Sequence, residues 1–372
     1  MGGKTLGMAL TLVTAFAGWA FCAAQTVDSQ LPHLENARLE KRALTRTLAE
    51  EMKRWTDQAE QPQWLAYAVP LVAGDQAMCC GDDDGCSRGC STCRLEEGDS
   101  ENTVSSSDSS TGRGTVKLEG PRNMLVLYRA EGKRLMKIRA LSEDCSLDAG
   151  GLTFVWLSGV PPSQSVAWLE TLVRGVDLAV RETRRTANRA LRAIALHADA
   201  SADQALGSFT NADQPESLRR QAAFWLGAKR GKAGLTVLQK MAKSDPSAEV
   251  RAHVTFALSV SHELEAVTEM IRMAHDDESA HVREQALFWL AHKAGQKAVG
   301  AITSAIENDP DTQVKKKAVF ALSRLPKDEG VPKLIEVAQS NRNPVIRKQA
   351  MFWLGQSHDP RALAFFEKIL SP

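Results

Sequence analysis

Residues 218–227 read Leu218-Arg-Arg-Gln-Ala-Ala-Phe-Trp-Leu-Gly227, and four later segments repeat this pattern at intervals of 32 residues. The later copies are Val250-Arg-Ala-His-Val-Thr-Phe-Ala-Leu-Ser259, Val282-Arg-Glu-Gln-Ala-Leu-Phe-Trp-Leu-Ala291, Val314-Lys-Lys-Lys-Ala-Val-Phe-Ala-Leu-Ser323 and Ile346-Arg-Lys-Gln-Ala-Met-Phe-Trp-Leu-Gly355. A degenerate copy begins at Thr186. A fixed period of this length is typical of stacked supersecondary units, in which a terminal unit differs because it caps the stack. The sequence therefore predicts an α-solenoid over residues 183–372.

Each copy has the apolar spacing of a helix. Its first, fifth, eighth and ninth positions fall on one face at 3.6 residues per turn, so they form the predicted core. A second amphipathic segment, such as the one containing Leu235, Leu238 and Met241, separates successive copies. Asp-Pro and Asn-Pro pairs, which end helices, lie between the segments. Each repeat is therefore predicted to be a helical hairpin, with an inner helix that carries the motif and an outer helix.

The repeated pattern resembles the short HEAT repeats of the bilin-lyase-like and deoxyhypusine-hydroxylase-like families. The shared features are an apolar residue, Arg, two variable positions, Ala, a small residue, a variable position, Ala, Leu and Gly. This resemblance covers residues 183–370 and implies a fold that serves many functions. It also implies a ladder of Asp–Arg pairs between neighbouring units. Here the acidic positions are Asp213, Asp245, Asp277 and Asp309, and the basic positions are Arg219, Arg251, Arg283 and Lys315.

The resemblance to deoxyhypusine hydroxylase implies His-Glu pairs, ligands of a di-iron centre, at the two positions after the Arg. This chain has other residues at those positions: Arg220-Gln221, Ala252-His253, Glu284-Gln285, Lys316-Lys317 and Lys348-Gln349. The pair His262-Glu263 falls in a predicted turn and has no counterpart in another repeat. Iron chemistry needs several converging His and carboxylate ligands. We therefore predict that the solenoid is not an enzyme and holds no metal or cofactor.

The seventh motif position is Phe in every one of the five clear copies. It lies at about 240° from the first position on a 3.6-residue wheel, away from the core face. Two interpretations remain open: the rings stack between repeats, or they line a groove that binds a partner. The candidate partner-binding residues are this Phe column and the polar column beside it: Phe224, Phe256, Phe288, Phe320, Phe352, Gln221, His253, Gln285, Lys317 and Gln349.

The position after the Phe alternates between a large and a small residue. It is Trp225, Ala257, Trp289, Ala321 and Trp353 in successive copies. This alternation doubles the period to 64 residues. It predicts a duplicated two-repeat unit in which large and small side chains alternate along a shared seam.

The N-terminal residues 1–24 have the pattern of a cleaved secretory signal. Lys4 precedes an apolar run, and Cys22-Ala23-Ala24 places small residues before a possible cleavage point. A retained transmembrane anchor is the alternative, but the run is short for a span and lacks a charged flank. Lipid attachment at Cys22 is disfavoured because Phe21 is bulky. The prediction is an exported protein, periplasmic or secreted, with no stable membrane span after cleavage.

The segment between the signal and the solenoid divides into three predicted parts. Apolar residues at helical spacing from Leu34 to Trp55 predict an amphipathic helix within residues 25–60. Residues 161–182, which begin with Pro161-Pro162, form a predicted linker helix. Between them, residues 61–160 are a predicted small, Cys-rich, β-containing domain with a mobile Ser-rich loop at 96–114. Its predicted strands are 64–69, 115–118, 124–128, 134–141 and 152–157.

Six cysteines follow the predicted signal: Cys79, Cys80, Cys86, Cys90, Cys93 and Cys145. An even number of cysteines in an exported chain favours disulfides. Zinc binding is an alternative because Cys90 and Cys93 have ligand spacing, and redox-active thiols are another. A second C-x-x-C pair and a partnering His are both missing from this stretch.

Composition excludes one class of partner and leaves another. The 372 residues carry a formal net charge of +1 with 24% charged residues, which lacks the basic excess of a nucleic-acid binder. The leading hypothesis is a non-enzymatic scaffold that binds a protein or peptide through the concave face of the solenoid. The alternative is a redox or metal-dependent activity in the Cys79–Cys93 module, with the solenoid as its carrier.

Overall fold

The computed structural model describes residues 31–73, 78–79, 92–96, 121–293 and 295–371. Several sequence predictions lie outside these residues. They are the signal segment 1–24 with Cys22, the strand at 115–118, almost all of the Ser-rich loop 96–114, and the cysteines Cys80, Cys86 and Cys90.

The N-terminal module is built on two β-sheets. A five-stranded sheet has the order β2-β8-β3-β5-β6, with β2, β8 and β3 parallel and the β5–β6 hairpin joined to β3 through an antiparallel pair. A small parallel sheet has the order β1-β7-β4. The elements are β1 (Leu34–Glu35), β2 (Arg38–Ala43), α1 (Leu48–Gln58), β3 (Gln63–Pro70), β4 (Thr92–Arg94), β5 (Asn123–Glu131), β6 (Arg134–Ser142), β7 (Ser146–Asp148), β8 (Thr153–Ser158) and α2 (Pro162–Thr171).

Both faces of the larger sheet are buried at its central strands β8, β3 and β5, whereas the edge strand β2 is exposed. One face, which includes Leu65 and Val126, packs into the core that α1 and the solenoid share. The opposite face, which includes Trp64 and Leu127, packs against residues of the small sheet such as Leu147. Burial on both faces explains why β3 reads as a nearly continuous apolar run instead of alternating with polar residues.

The predicted amphipathic helix from Leu34 to Trp55 is wrong in its first half. Residues Arg38–Ala43 form an edge strand that pairs in parallel with Thr153–Ser158, and the helix begins only at Leu48. The Thr47 hydroxyl caps that helix together with Glu50. The sequence has helical spacing here, but the strand partner lies more than 100 residues away and no local pattern reveals it. Residues 34–58 therefore belong to the sheet module.

A chain of buried hydrogen bonds joins the sheet module to the solenoid. The Tyr128 and Tyr67 hydroxyls lie 2.8 Å apart, and the Tyr67 hydroxyl lies 2.7 Å from Ser165 Oγ on α2. Ser165 Oγ lies 2.8 Å from His197 Nε2, and His197 Nδ1 lies 2.7 Å from the Ala193 carbonyl oxygen. Because a carbonyl only accepts, Nδ1 carries the proton and Nε2 accepts from Ser165. All four side chains are fully buried.

The C-terminal part is a stack of six helical hairpins within the described residues, which confirms the predicted solenoid. The inner helices are α3 (Arg181–Leu196), α5 (Glu216–Lys229), α7 (Ala248–Val260), α9 (Ala280–Lys293), α11 (Thr312–Arg324) and α13 (Pro344–Gln356). The outer helices are α4 (Ala200–Ser208), α6 (Gly231–Ser244), α8 (Glu265–Asp276), α10 (Gln296–Asn308), α12 (Lys327–Ser340) and α14 (Pro360–Leu370). The motif positions predicted for the core, such as Val250, Val254 and Leu258, are buried.

The predicted Asp–Arg ladder is present at three successive junctions between repeats. Asp213, which was also predicted to belong to it, is exposed and accepts a hydrogen bond from the Gln214 side chain instead. Arg219, Arg251 and Arg283 each donate through Nε and Nη2 to both carboxylate oxygens of the Asp 26 residues later, at 2.7–3.1 Å. Their partners are Asp245, Asp277 and Asp309, all buried. The Nη1 of each Arg donates to a backbone carbonyl in the turn before its own helix. The hydrogen bond with Asp309 raises the pKa of Arg283 further above its ordinary value.

Close approach of successive inner helices makes Gly227 sensitive to substitution. A Cβ at Gly227 would lie 2.1 Å from the Ala257 carbonyl oxygen, whereas a Cβ at Gly355, the same motif position in the last repeat, would meet nothing within 4 Å. We expect Gly227→Ala to lower the free energy of unfolding by about 2–3 kcal/mol through overpacking. Gly355→Ala should leave it unchanged or raise it by up to about 1 kcal/mol through helix propensity.

Urea denaturation of the two glycine variants measures this difference. Equal loss of stability in both variants would contradict the close-approach explanation, because both positions are helical and only one faces a neighbouring backbone.

Candidate partner-binding surface

Eight aromatic rings form a continuous ladder across the inner helices α5 to α13. In order of contact they are Trp225, Phe224, Phe256, Trp289, Phe288, Phe320, Trp353 and Phe352, with consecutive ring centroids 4.8–6.3 Å apart. These spacings fall in the range of favourable aromatic pairs. The Phe column therefore stacks between repeats, as one of the two interpretations predicts. We call this set of rings the aromatic ladder.

The ladder explains the alternation of Trp and Ala. Phe224 stacks directly on Phe256 with an interplanar angle of 14°, and Phe288 stacks on Phe320 at 10°. Trp289 lies between these two pairs and contacts Phe256 at 4.8 Å and Phe288 at 4.9 Å. Trp353 links Phe320, at 4.9 Å, to Phe352, at 5.0 Å. Trp289 and Trp353 thus each join the Phe ring of their own repeat to the Phe ring of the preceding repeat, and Trp225 begins the ladder. The small residues Ala257 and Ala321 are buried at the same motif position in the repeats between.

Stacking does not bury the ladder. Phe224, Phe256, Phe288 and Phe320 are half-buried, and Phe352 at the C-terminal end of the ladder is 54% exposed. The bridging Trp rings are half-buried as well. A row of partly exposed rings therefore reaches the surface across five repeats. Contiguous exposed apolar surface of this kind is typical of interaction sites.

Polar side chains border the ladder on one side. Gln221, His253, Gln285 and Gln349 are half-buried, and Lys317 is exposed. The His253 ring lies 5.6 Å from the Phe256 ring. Burial lowers the pKa of His253, and the positive charge of the nearby Arg220 lowers it as well, to a smaller extent. His253 is therefore neutral at pH 7 and serves as a flat polar neighbour of the aromatic surface.

Some members of the surface are absent from the predicted set. The Trp–Ala alternation predicts a core seam, and the three Trp rings do pack against the core while their other contacts lie within the aromatic ladder. The repeat pattern does not single out His292. The His292 ring lies 4.3 Å from the Phe288 ring and 6.0 Å from the Trp289 ring. Its position four residues after Phe288 is the signal that could have found it, since side chains four apart share a helix face.

The cysteine module contains a disulfide at the edge of the sheets. Cys79 and Cys145 are bonded, with their Cα atoms 5.4 Å apart, and Cys93 on β4 is also disulfide-bonded. Within the described residues, Cys79, Asp144 and Cys145 are the one group in which three potential metal-ligand atoms converge. The two sulfurs in that group are bonded to each other, so neither offers the thiolate that a metal ion requires.

The positions that correspond to the di-iron ligand columns carry no matched set of His and Glu residues. Glu284 and Lys316 are half-buried and Lys348 is exposed, so these columns present mixed charges to solvent.

None of the described helices is long and apolar enough to cross a lipid bilayer.

The stacked hairpins, the buried Asp–Arg ladder and the inner-layer motif define a HEAT-repeat solenoid. A family model described as HEAT repeats matches residues 203–291 and 299–372. The C-terminal region of this chain therefore consists of HEAT repeats. A comparison with curated proteins yields no match.

Several solved structures are similar to part of the chain. Human deoxyhypusine hydroxylase is 17% identical with a TM-score of 0.31, and the match covers 57% of this chain and 80% of that one. The CpcE–CpcF complex of phycocyanin lyase from Nostoc is 20% identical with a TM-score of 0.32, over 42% of this chain and 99% of that one. A Kap121p mutant is 14% identical with a TM-score of 0.37, over 56% of this chain and 27% of that one. This chain thus spans about a quarter of Kap121p.

Proposed function

We propose that this protein is a non-enzymatic scaffold that binds a segment of another protein along the aromatic ladder. The observation that carries the proposal is the continuous row of eight rings, which contact one another and yet remain partly exposed. Aromatic side chains contribute most of the binding energy at protein interfaces. Solenoids of this kind form extended concave surfaces that bind other molecules, and the C-terminal region consists of such repeats.

Pre-organisation of the ladder favours binding. Each Phe in the middle of the ladder is held by ring contacts on both sides, as Phe256 is between Phe224 and Trp289. A side chain that is already ordered loses little rotamer entropy when a partner covers it. The row crosses five repeats, so an extended chain or a helix that follows it could contact several rings at once.

An exported location is part of the proposal. The first 24 residues have the composition of a secretory signal, and the Cys79–Cys145 disulfide is of the kind that persists in oxidising compartments. We therefore place the partner in the cell envelope or outside the cell.

A binding test uses variants that remove rings at the surface. In a pull-down from the native envelope fraction, we expect Phe288→Gln/Phe320→Gln to lose at least about tenfold of the captured partner, because each hot-spot ring typically contributes about 2 kcal/mol. Phe352→Gln, at the exposed end of the ladder, should weaken capture with no loss of thermal stability.

The control for this test is Leu264→Gln/Leu363→Gln, which removes two exposed apolar side chains, 77% and 61% exposed, outside the ladder. Circular dichroism confirms that every variant keeps its helical content. Full capture by the ladder variants, or an equal loss in the control, would exclude the aromatic ladder as the binding surface.

A further inference from the structure

The inner helices differ in charge along the solenoid. Each of α5, α7 and α9 carries an acidic residue: Glu216, Glu249 and Glu284 respectively. In contrast, the charged residues of α11, α13 and the turn before α13 are all basic. These are Lys315, Lys316, Lys317, Arg324, Arg342, Arg347 and Lys348.

The Asp–Arg ladder ends where this basic region begins. Lys315 stands at the position of the ladder Arg, and Asn341 stands at the position of the ladder Asp. Lys315 donates to the Glu307 backbone carbonyl, and Arg347 donates to the backbone carbonyls of Asn341 and Arg342. Within the described part of the chain, no carboxylate pairs with Lys316, Lys317, Arg324, Arg342 or Lys348. The positive charge of this region is therefore not neutralised within the solenoid.

Four of these cations share the surface of the aromatic ladder. Lys316 and Lys317 precede Phe320 by four and three residues, and Arg324 follows it by four. Lys348 precedes Phe352 by four residues. Residues three or four apart lie side by side on a helix, so these charges flank the two C-terminal Phe rings. Lys317, Arg324 and Lys348 are exposed and Lys316 is half-buried.

We infer that the partner segment is acidic, with carboxylates placed beside its apolar side chains, and that it binds the C-terminal half of the aromatic ladder. This inference rests on the proposed function and adds the chemistry of the partner to it. The rings would supply most of the affinity, because exposed ion pairs contribute little individually. The unpaired cations would steer an acidic segment to the surface and select against a basic one.

Selection from a random peptide library tests the chemistry and does not require the identity of the partner. The full-length protein, immobilised, is panned with a phage-displayed library of random 16-residue peptides. We expect enrichment of sequences that combine Asp or Glu with aromatic or aliphatic residues. The strongest peptide and its analogue with every Asp and Glu replaced by the amide are then synthesised, and Kd is measured by fluorescence anisotropy.

Charge-reversed variants link the peptide to the basic region. Lys316→Glu/Lys317→Glu/Lys348→Glu should raise Kd for the acidic peptide by at least about tenfold at low salt, and the effect should shrink in high salt through screening. The matched control is Lys232→Glu/Lys240→Glu/Lys243→Glu, which makes the same charge change at exposed positions of the outer helix α6. This control should leave Kd within about twofold, because its charges lie away from the ladder.

The outcomes separate this inference from the proposed function. Acidic peptides whose binding falls in both the lysine-reversal variant and Phe288→Gln/Phe320→Gln support both. Neutral or basic peptides whose binding falls in Phe288→Gln/Phe320→Gln but not in the lysine-reversal variant would overturn the acidic partner and leave the scaffold role intact. If neither set of variants changes the binding of the enriched peptides, or if no peptide is enriched, binding along the aromatic ladder is overturned.

Discussion

The variant Asp309→Asn is expected to lose about 3 kcal/mol of unfolding free energy, because it leaves the buried Arg283 guanidinium without a carboxylate. Arg283 donates to both oxygens of Asp309, at 2.7 and 3.0 Å, and both side chains are buried. An amide in place of the carboxylate keeps one acceptor and puts donors against a donor. A buried charge that loses its partner retains its full desolvation cost.

The variant Asp309→Asn removes the ion pair with Arg283 and keeps the hydrogen bond that forms the turn. Asp309 Oδ1 also accepts from the Asp311 backbone N–H at 2.8 Å. Asn341, one repeat later, makes the same turn contact to Asn343 at 2.9 Å. An amide therefore supports this turn, and the stability lost in Asp309→Asn reports on Arg283.

Two further variants and urea denaturation complete this test. Arg283→Met/Asp309→Asn should recover part of the lost stability, since the buried charge is gone. The mirror change, Asn341→Asp opposite Lys315, should alter stability by less than about 1 kcal/mol, because Lys315 is only half-buried and already bonded to a backbone carbonyl. If Asp309→Asn is as stable as the wild type, the Arg283–Asp309 pair contributes nothing to stability.

Acidification from pH 6.5 to 4 is expected to destabilise the protein by about 3 kcal/mol through His197 alone. Burial lowers the pKa of His197 from 6.5 to about 4, with the Ala193 hydrogen bond opposing that shift. Below pH 6.5 the unfolded chain binds a proton at this imidazole that the folded chain does not. Stability is therefore complete above pH 6.5, falls as the pH drops to 4, and loses no more to this group below that.

Protonation of His197 would act at the junction between the sheet module and the solenoid, because it would place a second donor on the ring, at Nε2. Ser165 Oγ, which donates to Nε2, would then have to turn, and the bonds to Tyr67 and Tyr128 would reorganise with it. These bonds connect the sheet module to α3 through α2. We expect acid to loosen that junction before it unfolds the distal repeats, which hydrogen exchange at successive pH values would resolve.

Urea denaturation between pH 7.5 and 4.5, compared with His197→Gln, measures the contribution of this group. The variant should be less stable at neutral pH and should lose less stability on acidification. NMR of the wild-type imidazole offers an independent test that does not depend on whether the variant folds. At pH 5.5 the folded protein should show a neutral ring with its proton on Nδ1. A charged His197 at that pH would contradict the prediction.

Much of the solenoid was predictable because its interactions repeat with the sequence. The 32-residue period identifies each hairpin, and the buried Val250, Val254 and Leu258 lie where helical spacing places them. Strands β3, β5 and β6 were also predictable from their apolar runs. The strand β2 was not, because its pairing with β8 depends on a segment more than 100 residues away. A local pattern of apolar residues carries no information about such a partner.

The candidate site was predictable in its residues and not in its geometry. The wheel separates Phe224 and its equivalents from the core but cannot place the next repeat. The structure shows that stacking and exposure occur together, since the central Phe rings contact neighbouring rings on both sides and remain only half-buried. Trp289 and Trp353 connect the Phe rings of neighbouring repeats, a role that depends on the distance between adjacent helices.

Period and helical spacing thus established the α-solenoid and its core columns, and the resemblance to HEAT repeats implied the Asp–Arg ladder, because these features depend on contacts within a repeat and between adjacent repeats. Only the tertiary structure determined the placement of β2, the Tyr128–Tyr67–Ser165–His197 connection and the order of rings in the aromatic ladder. Each of these depends on the distance and orientation between elements that are remote in the sequence or stacked through space. Packing sets those quantities, and no single segment of the chain encodes them.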